Sequence, residues 1–149
     1  MNEPMNTGTD ILLVEDSIND AELTIRALKR KNVCNKIHHV LDGEEALDFI
    51  FSRGTYIDQP FPASLKLILL DIKLPKIDGL EVLKVLKAHE KTKLIPVVML
   101  TSSNQEPDIA ESYKSGANSY IVKPVAFDKF VEAVVDVGMY WVIRNQPTQ

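Results

Sequence analysis

The sequence has little cysteine and no long hydrophobic run, and each shortage excludes a class of protein. Cys34 is the only cysteine among 149 residues, so the chain cannot form an internal disulfide and offers too few thiols for a zinc site. No apolar run reaches the roughly 18 residues needed to span a membrane. The polar start of the chain lacks the basic and apolar stretches of a signal peptide. We therefore expect a cytoplasmic protein in a reducing compartment, with no membrane contact.

The chain also has only a small excess of one charge over the other. The chain has 17 Lys and Arg against 21 Asp and Glu, a net charge of -4, which does not resemble the basic surface of a nucleic-acid-binding protein. No glycine-rich phosphate loop follows any apolar run, which disfavours nucleotide binding. The length fits one domain, and 45% hydrophobic residues are enough for one core. We assign residues 10–144 to this domain, and residues 1–9 and 145–149 to tails.

Short apolar runs alternate with amphipathic segments along the chain. Continuous apolar runs are typical of parallel strands buried on both faces. The predicted strands are 11–14, 67–70 and 97–100, with weaker candidates at 37–40 and 120–122. The predicted helices are 20–31, capped by Asn19, and 44–52, 79–88, 106–115 and 126–143. In helix 79–88, the inward face is expected to carry Leu80, Leu83, Val85 and Leu86. This alternation predicts an α/β fold, a doubly wound five-stranded parallel sheet with helices on both faces. The long connection 53–64 leads into the amino-terminal end of the third strand, so we expect it at the end of the sheet opposite the strand carboxyl ends.

Polar residues follow four of the predicted strands. Glu15 and Asp16 follow the first, Asp71 the third, Thr101 the fourth and Lys123 the fifth. Taken singly, such residues are most often helix caps, turn residues or surface charges. The carboxyl ends of parallel strands meet at one edge of a sheet, where ligands bind, so we expect these five to form one site.

The chemistry of such a site is specific. Three close carboxylates repel one another, and Mg2+, which prefers oxygen ligands, relieves that repulsion. An ionised Asp71 beside the metal is a nucleophile for phosphorus, while Thr101 and Lys123 can neutralise the phosphoryl oxygens. The Lys123–Pro124 bond can be cis, which would aim the lysine over the site. The alternative is a simple helix start at the proline.

These residues lie in motifs that resemble the receiver domain of two-component response regulators. The resemblance covers about residues 9–144. It rests on the motifs ILLVED at 11–16, LLDIKLP at 69–75 with DG at 78–79, VMLTS at 98–102, GA at 116–117 and YIVKP at 120–124.

The resemblance implies a role for each site residue. Asp71 would be the phosphoacceptor, and a partner protein, a sensor histidine kinase, would donate the phosphoryl group to it. Glu15 and Asp16 would arrange Mg2+, with the backbone carbonyl of Lys73 as a further ligand. Thr101 and Lys123 would bind the phosphoryl oxygens, and Tyr120 would be the switch aromatic that turns inward when Thr101 moves.

A narrower resemblance concerns the proline-bearing connection 53–64 and the apolar C-terminus. Both are similar to stand-alone regulators paired with cyanobacterial phytochrome kinases. Only 26 residues follow Lys123, so we expect no output domain and a signal that leaves through protein contacts. The last predicted helix is apolar on nearly all sides, which favours a homodimer through this region. The alternative is a tail folded onto its own domain.

Two other functions use similar residues. A phosphatase of the haloacid dehalogenase type also needs an aspartyl nucleophile, but it requires a second aspartate where Lys73 stands, and its nucleophile follows the first strand. A degenerate receiver, acting as a phosphorylation-independent binding module, usually lacks a residue of the set found here. We therefore expect no enzyme beyond self-catalysed phosphotransfer and dephosphorylation.

Overall fold

The computed structural model describes residues 8–29, 36–102 and 107–136. One sheet of five parallel strands has the order β2-β1-β3-β4-β5, which confirms the predicted fold. The strands are β1 (Thr9–Val14), β2 (Lys36–Val40), β3 (Leu67–Asp71), β4 (Val97–Thr101) and β5 (Ser119–Val122). The helices are α1 (Ile18–Lys29), α2 (Gly43–Phe51), α3 (Gly79–Ala88), α4 (Asp108–Lys114) and α5 (Phe127–Asp136), with a 3-10 turn at Gly54–Tyr56.

The central strands are apolar at successive positions because both of their faces are covered. Leu12 of β1 and Leu70 of β3 point to one face, where α2 and α3 complete the core. Leu13 and Leu69 point to the other face, where α1 and α5 pack. The sheet therefore lies between two helix layers, and the strand ends are the places where polar groups can meet.

Two predicted details of the helices are wrong. Helix α1 begins at Ile18, and its cap is Ser17, whose Oγ accepts a hydrogen bond from the Asp20 N–H at 3.1 Å; Asn19 lies inside the first turn. In α3, Val85 was expected to face inward but is exposed. Val82 is buried instead, because it lies four residues before the buried Leu86 on the same helix face.

The connection 53–64 runs along the end of the sheet opposite the strand carboxyl ends, as expected. Its Ser64 hydroxyl donates to the Thr9 carbonyl at 2.7 Å, and the Lys66 N–H donates to the Asp10 carbonyl at 2.8 Å. Tyr56 of the 3-10 turn is buried against α2. The connection is thus tied to the amino-terminal ends of β1 and β3.

Helix α5 buries Phe130, Ala133 and Val134 against the sheet. Val135 is 36% exposed on its outer side. The predicted continuation of this helix, residues 137–143, lies outside the described residues. Within the described ranges, no helix has the length and apolar character to cross a membrane.

Candidate functional site

Three carboxylates meet at the carboxyl ends of β1 and β3. Glu15 and Asp16 follow β1 and Asp71 is the last residue of β3; one carboxylate oxygen from each lies within 4.8 Å of the other two. Glu15 is fully buried and Asp71 is 5% exposed, whereas Asp16 is exposed. The structure therefore brings together the three acids that the sequence placed at this edge.

The backbone after Asp71 is fixed from two sides. The Ile72 N–H donates to the Leu100 carbonyl of β4 at 3.0 Å, and the Gly79 N–H donates to the Ile72 carbonyl at 2.9 Å. A Cβ at Gly79 would collide with the carbonyl oxygens of Asp71 and Ile72. Glycine thus allows α3 to begin directly against the strand end that carries Asp71.

Lys123 brings a single ammonium into the acidic cluster. The peptide bond between Lys123 and Pro124 is cis, as predicted. The backbone N–H of Lys123 donates to the Thr101 carbonyl at 2.7 Å. The Nζ atom lies 3.1 Å from Glu15 Oε1, 3.2 Å from Asp71 Oδ2 and 3.3 Å from Asp20 Oδ2. Sequence reasoning missed Asp20, whose place in the first turn of α1 puts it above the end of β1.

Burial makes the charges of this cluster unusual. Burial raises the pKa of Glu15 to about 7, the Ser17 N–H opposes this with a 3.0 Å hydrogen bond, and the charge of Asp71 adds to it. Burial also disfavours the ammonium of Lys123, but Asp71 and Glu15 outweigh it and raise the lysine pKa. One ammonium among several carboxylates leaves negative charge in excess. Carboxylate oxygens so arranged fit a hard divalent cation such as Mg2+.

A cavity of about 250 Å³ opens beside the cluster. Its walls include Thr101, which is 2% exposed at the end of β4, together with Ser102, Asp71 and Lys123. The cavity thus offers hydroxyl and ammonium donors next to a carboxylate. A small tetrahedral anion such as a phosphoryl group matches these donors.

Lys73 lines the same cavity, but its side chain turns toward α4. Its Nζ atom lies 2.8 Å from Asp108 Oδ2 in the first turn of that helix, and 66% of the lysine side chain is exposed. Glu15 and Asp71, by contrast, are paired with Lys123. The metal ligand expected from this residue is its backbone carbonyl, so the position of the side chain at Asp108 does not conflict with that expectation.

Two aromatic side chains lie farther out. Tyr120 of β5 is half-buried, and its ring meets that of Tyr113 of α4 edge-on at 6.1 Å. His39 is not among the residues that line the cavity, but its Nε2 lies 2.8 Å from the backbone oxygen of Glu15. His38 and His89 pack on Phe49 and Phe51.

Comparison with known proteins agrees with this geometry. The family model described as the response regulator receiver domain matches residues 11–135. The solved structure of the bacteriophytochrome response regulator AtBRR is 47% identical, with a TM-score of 0.80, over 89% of this chain and 94% of that chain.

Two curated relatives match over most of their length. Rcp1 of Synechocystis is 37% identical over 95% of this chain and 94% of its own length, and its Mn2+-bound form superimposes with a TM-score of 0.71. A probable methanogenesis regulatory protein, FilR2 of Methanothrix harundinacea, is 38% identical over 91% of this chain and 85% of its own length. The chain belongs to the response regulator receiver domain family.

Proposed function

We propose that this chain accepts a phosphoryl group on Asp71 from a sensor histidine kinase, and that the kinase is of the phytochrome type. The observation that carries the proposal is the surrounding of Asp71: a nearly buried carboxylate, beside two more acids and 3.2 Å from the Lys123 ammonium. The relatives that regulate bacteriophytochrome signalling support the kinase class.

The transfer exchanges one bond to phosphorus for another. An oxygen of Asp71 attacks the phosphorus of a phosphohistidine, a P–O bond forms and the P–N bond breaks. The bonding electron pair leaves with the imidazole nitrogen, which takes a proton. Lys123 and Thr101 face the cavity, so their N–H and O–H groups donate to the phosphoryl oxygens as charge builds there.

Magnesium is the cofactor of this proposal. The carboxylates of Glu15, Asp16 and Asp71 and the backbone carbonyl of Lys73 would hold it, since the acids carry more negative charge than Lys123 balances. When bound, Mg2+ supplies positive charge to the phosphoryl oxygens. The Mn2+-bound form of Rcp1 supports a divalent ion in this family.

The signal leaves by a change of conformation. Thr101 moves toward the new phosphoryl group and Tyr120 follows inward, so that phosphorylation stabilises one of two states. The partners we propose are the kinase and a second copy of the chain, bound through the C-terminal helix region.

Intact-mass measurement tests the transfer. Wild-type protein incubated with acetyl phosphate and Mg2+ is expected to gain one phosphoryl group. Asp71→Asn, which keeps the size of the side chain but lacks the nucleophilic charge, is expected to gain none, and wild type with EDTA is expected to gain none.

A beryllofluoride titration separates the remaining alternative. If wild type gains no phosphoryl group and also fails to bind beryllofluoride in the presence of Mg2+, the proposal is wrong. The chain would then be a degenerate receiver that acts as a binding module without phosphorylation.

A further inference from the structure

The ammonium of Lys123 is fully engaged in the unphosphorylated site. It has three N–H donors, and three carboxylate oxygens lie near it: Glu15 at 3.1 Å, Asp71 at 3.2 Å and Asp20 at 3.3 Å. The lysine side chain is 17% exposed, so water has little access to it. Lys123 can therefore donate to a phosphoryl oxygen only by giving up one of these partners.

Asp20 differs from the other two partners in its position. Its side chain is 42% exposed on the first turn of α1, whereas the side chains of Glu15 and Asp71 are 1% and 7% exposed. Asp20 is also outside the group of three acids whose oxygens lie within 4.8 Å of one another. A cation held by that group would engage the charges of Glu15 and Asp71, and it would leave the charge of Asp20 directed at Lys123.

We propose that Asp20 is a positioning residue that competes with the phosphoryl group for the Lys123 ammonium. This inference rests on the function proposed above. Asp20 retains Lys123 on the side of α1, and each phosphoryl group that binds must draw the ammonium away from this carboxylate. The competition limits how tightly the site holds a phosphoryl group.

Asp20→Asn tests the competition, because the amide keeps an oxygen that can accept from Lys123 but removes the negative charge. The measurement is the affinity for beryllofluoride, a phosphoryl mimic, by calorimetric titration at constant Mg2+. We expect the variant to bind the mimic about three- to tenfold more tightly than wild type, the factor expected for one charge-assisted bond at a half-exposed position.

Glu22→Gln is the matched control. Glu22 is exposed on the same helix two residues later, it is not among the three carboxylates around Lys123, and the substitution removes the same charge. We expect its affinity for the mimic to stay within about twofold of wild type, because distant surface charges are screened. Thermal unfolding without the mimic shows whether either variant perturbs α1.

The outcomes separate this inference from the proposed function. If wild type does not bind beryllofluoride, the role of Asp20 is wrong, and the proposed function fails as well if acetyl phosphate also adds no phosphoryl group. If wild type binds, but Asp20→Asn binds no more tightly, or Glu22→Gln gains as much, only the role of Asp20 is wrong. A gain confined to Asp20→Asn supports it.

Discussion

At the scale of single residues, Gly79 determines how closely α3 approaches Asp71. A Cβ at this position would meet the carbonyl oxygens of Asp71 and Ile72, and neither backbone atom can move without disturbing β3. Gly79→Ala is therefore expected to destabilise the protein by about 1–3 kcal/mol, as overpacking does, and to slow phosphorylation of Asp71. Chemical denaturation and the acetyl phosphate assay measure the two effects.

Lys84→Ala is the control for this substitution. Lys84 is exposed in the middle of α3. The free energy of unfolding of the Lys84→Ala variant is therefore expected to differ from that of wild type by less than about 0.5 kcal/mol. If Gly79→Ala is as stable and as readily phosphorylated as Lys84→Ala, then the contact between α3 and the strand end does not shape the site.

The sequence placed the residues of the site where they follow apolar runs, and it missed those that reach the site from elsewhere. Glu15, Asp71 and Thr101 could be located because each stands directly at the end of a buried strand. Asp20 and His39 could not, since their contacts depend on how α1 and β2 pack against β1. Neither distance is encoded by local spacing.

At the scale of elements, a polar network joins β2, α2 and the 3-10 turn. The Tyr56 hydroxyl donates to Glu45 Oε2 at 2.9 Å and lies 3.0 Å from His38 Nε2. The His38 ring stacks on Phe49 with centroids 4.4 Å apart. Glu45 also accepts from the Leu41 N–H at 3.0 Å, so the network fixes the start of α2.

Burial lowers the pKa of His38. The charge of Glu45 acts to raise it, and the charges of His39 and Lys36 act to lower it further. The unfolded chain, in which this histidine has its ordinary pKa of 6.5, then binds the proton more readily than the folded protein. Stability from this group is complete above pH 6.5 and is lost as the pH falls through 6.5 toward the lowered folded value.

Comparison with His38→Phe, which keeps an aromatic ring against Phe49, isolates this effect. Between about pH 8 and about pH 5.5, the free energy of unfolding of wild type is expected to fall relative to that of the variant. Glu15 acts in the opposite direction, since a pKa raised to about 7 makes the folded state less stable as the pH rises through that value. The two proteins share Glu15, so the difference between them reports His38. Parallel curves would contradict the prediction.

Strands were predicted more accurately than helix ends. The three long apolar runs lie within β1, β3 and β4, because a strand buried on both faces has an unbroken apolar sequence. The cap of α1 was misplaced because Ser17 and Asn19 are both good capping residues, and the choice depends on how the chain leaves β1.

At the scale of the whole molecule, the two ends of the sheet carry different features. The acidic cluster lies at the carboxyl ends of the strands, while the connection 53–64 is tied to their amino ends through Thr9 and Asp10. The sequence alone was sufficient for this arrangement, because alternating strands and helices fix which end each loop occupies. Contacts made by residues 137–149 lie outside the described part of the chain.

The homodimer is the prediction that belongs to this scale. Val135 is apolar and 36% exposed on α5, next to the apolar sequence of residues 137–143, and such a surface favours association. Light scattering at high micromolar concentration, with and without beryllofluoride, is expected to give twice the 16.7 kDa of one chain.

Two variants test whether the outer side of α5 takes part in the dimer. Val135→Glu places a charge on this surface and is expected to weaken the dimer. Lys129→Gln makes the same change of net charge at an exposed polar position and should leave the dimer intact. A mass of one chain for wild type under both conditions would contradict the dimer, and it would favour a C-terminal segment folded onto its own domain.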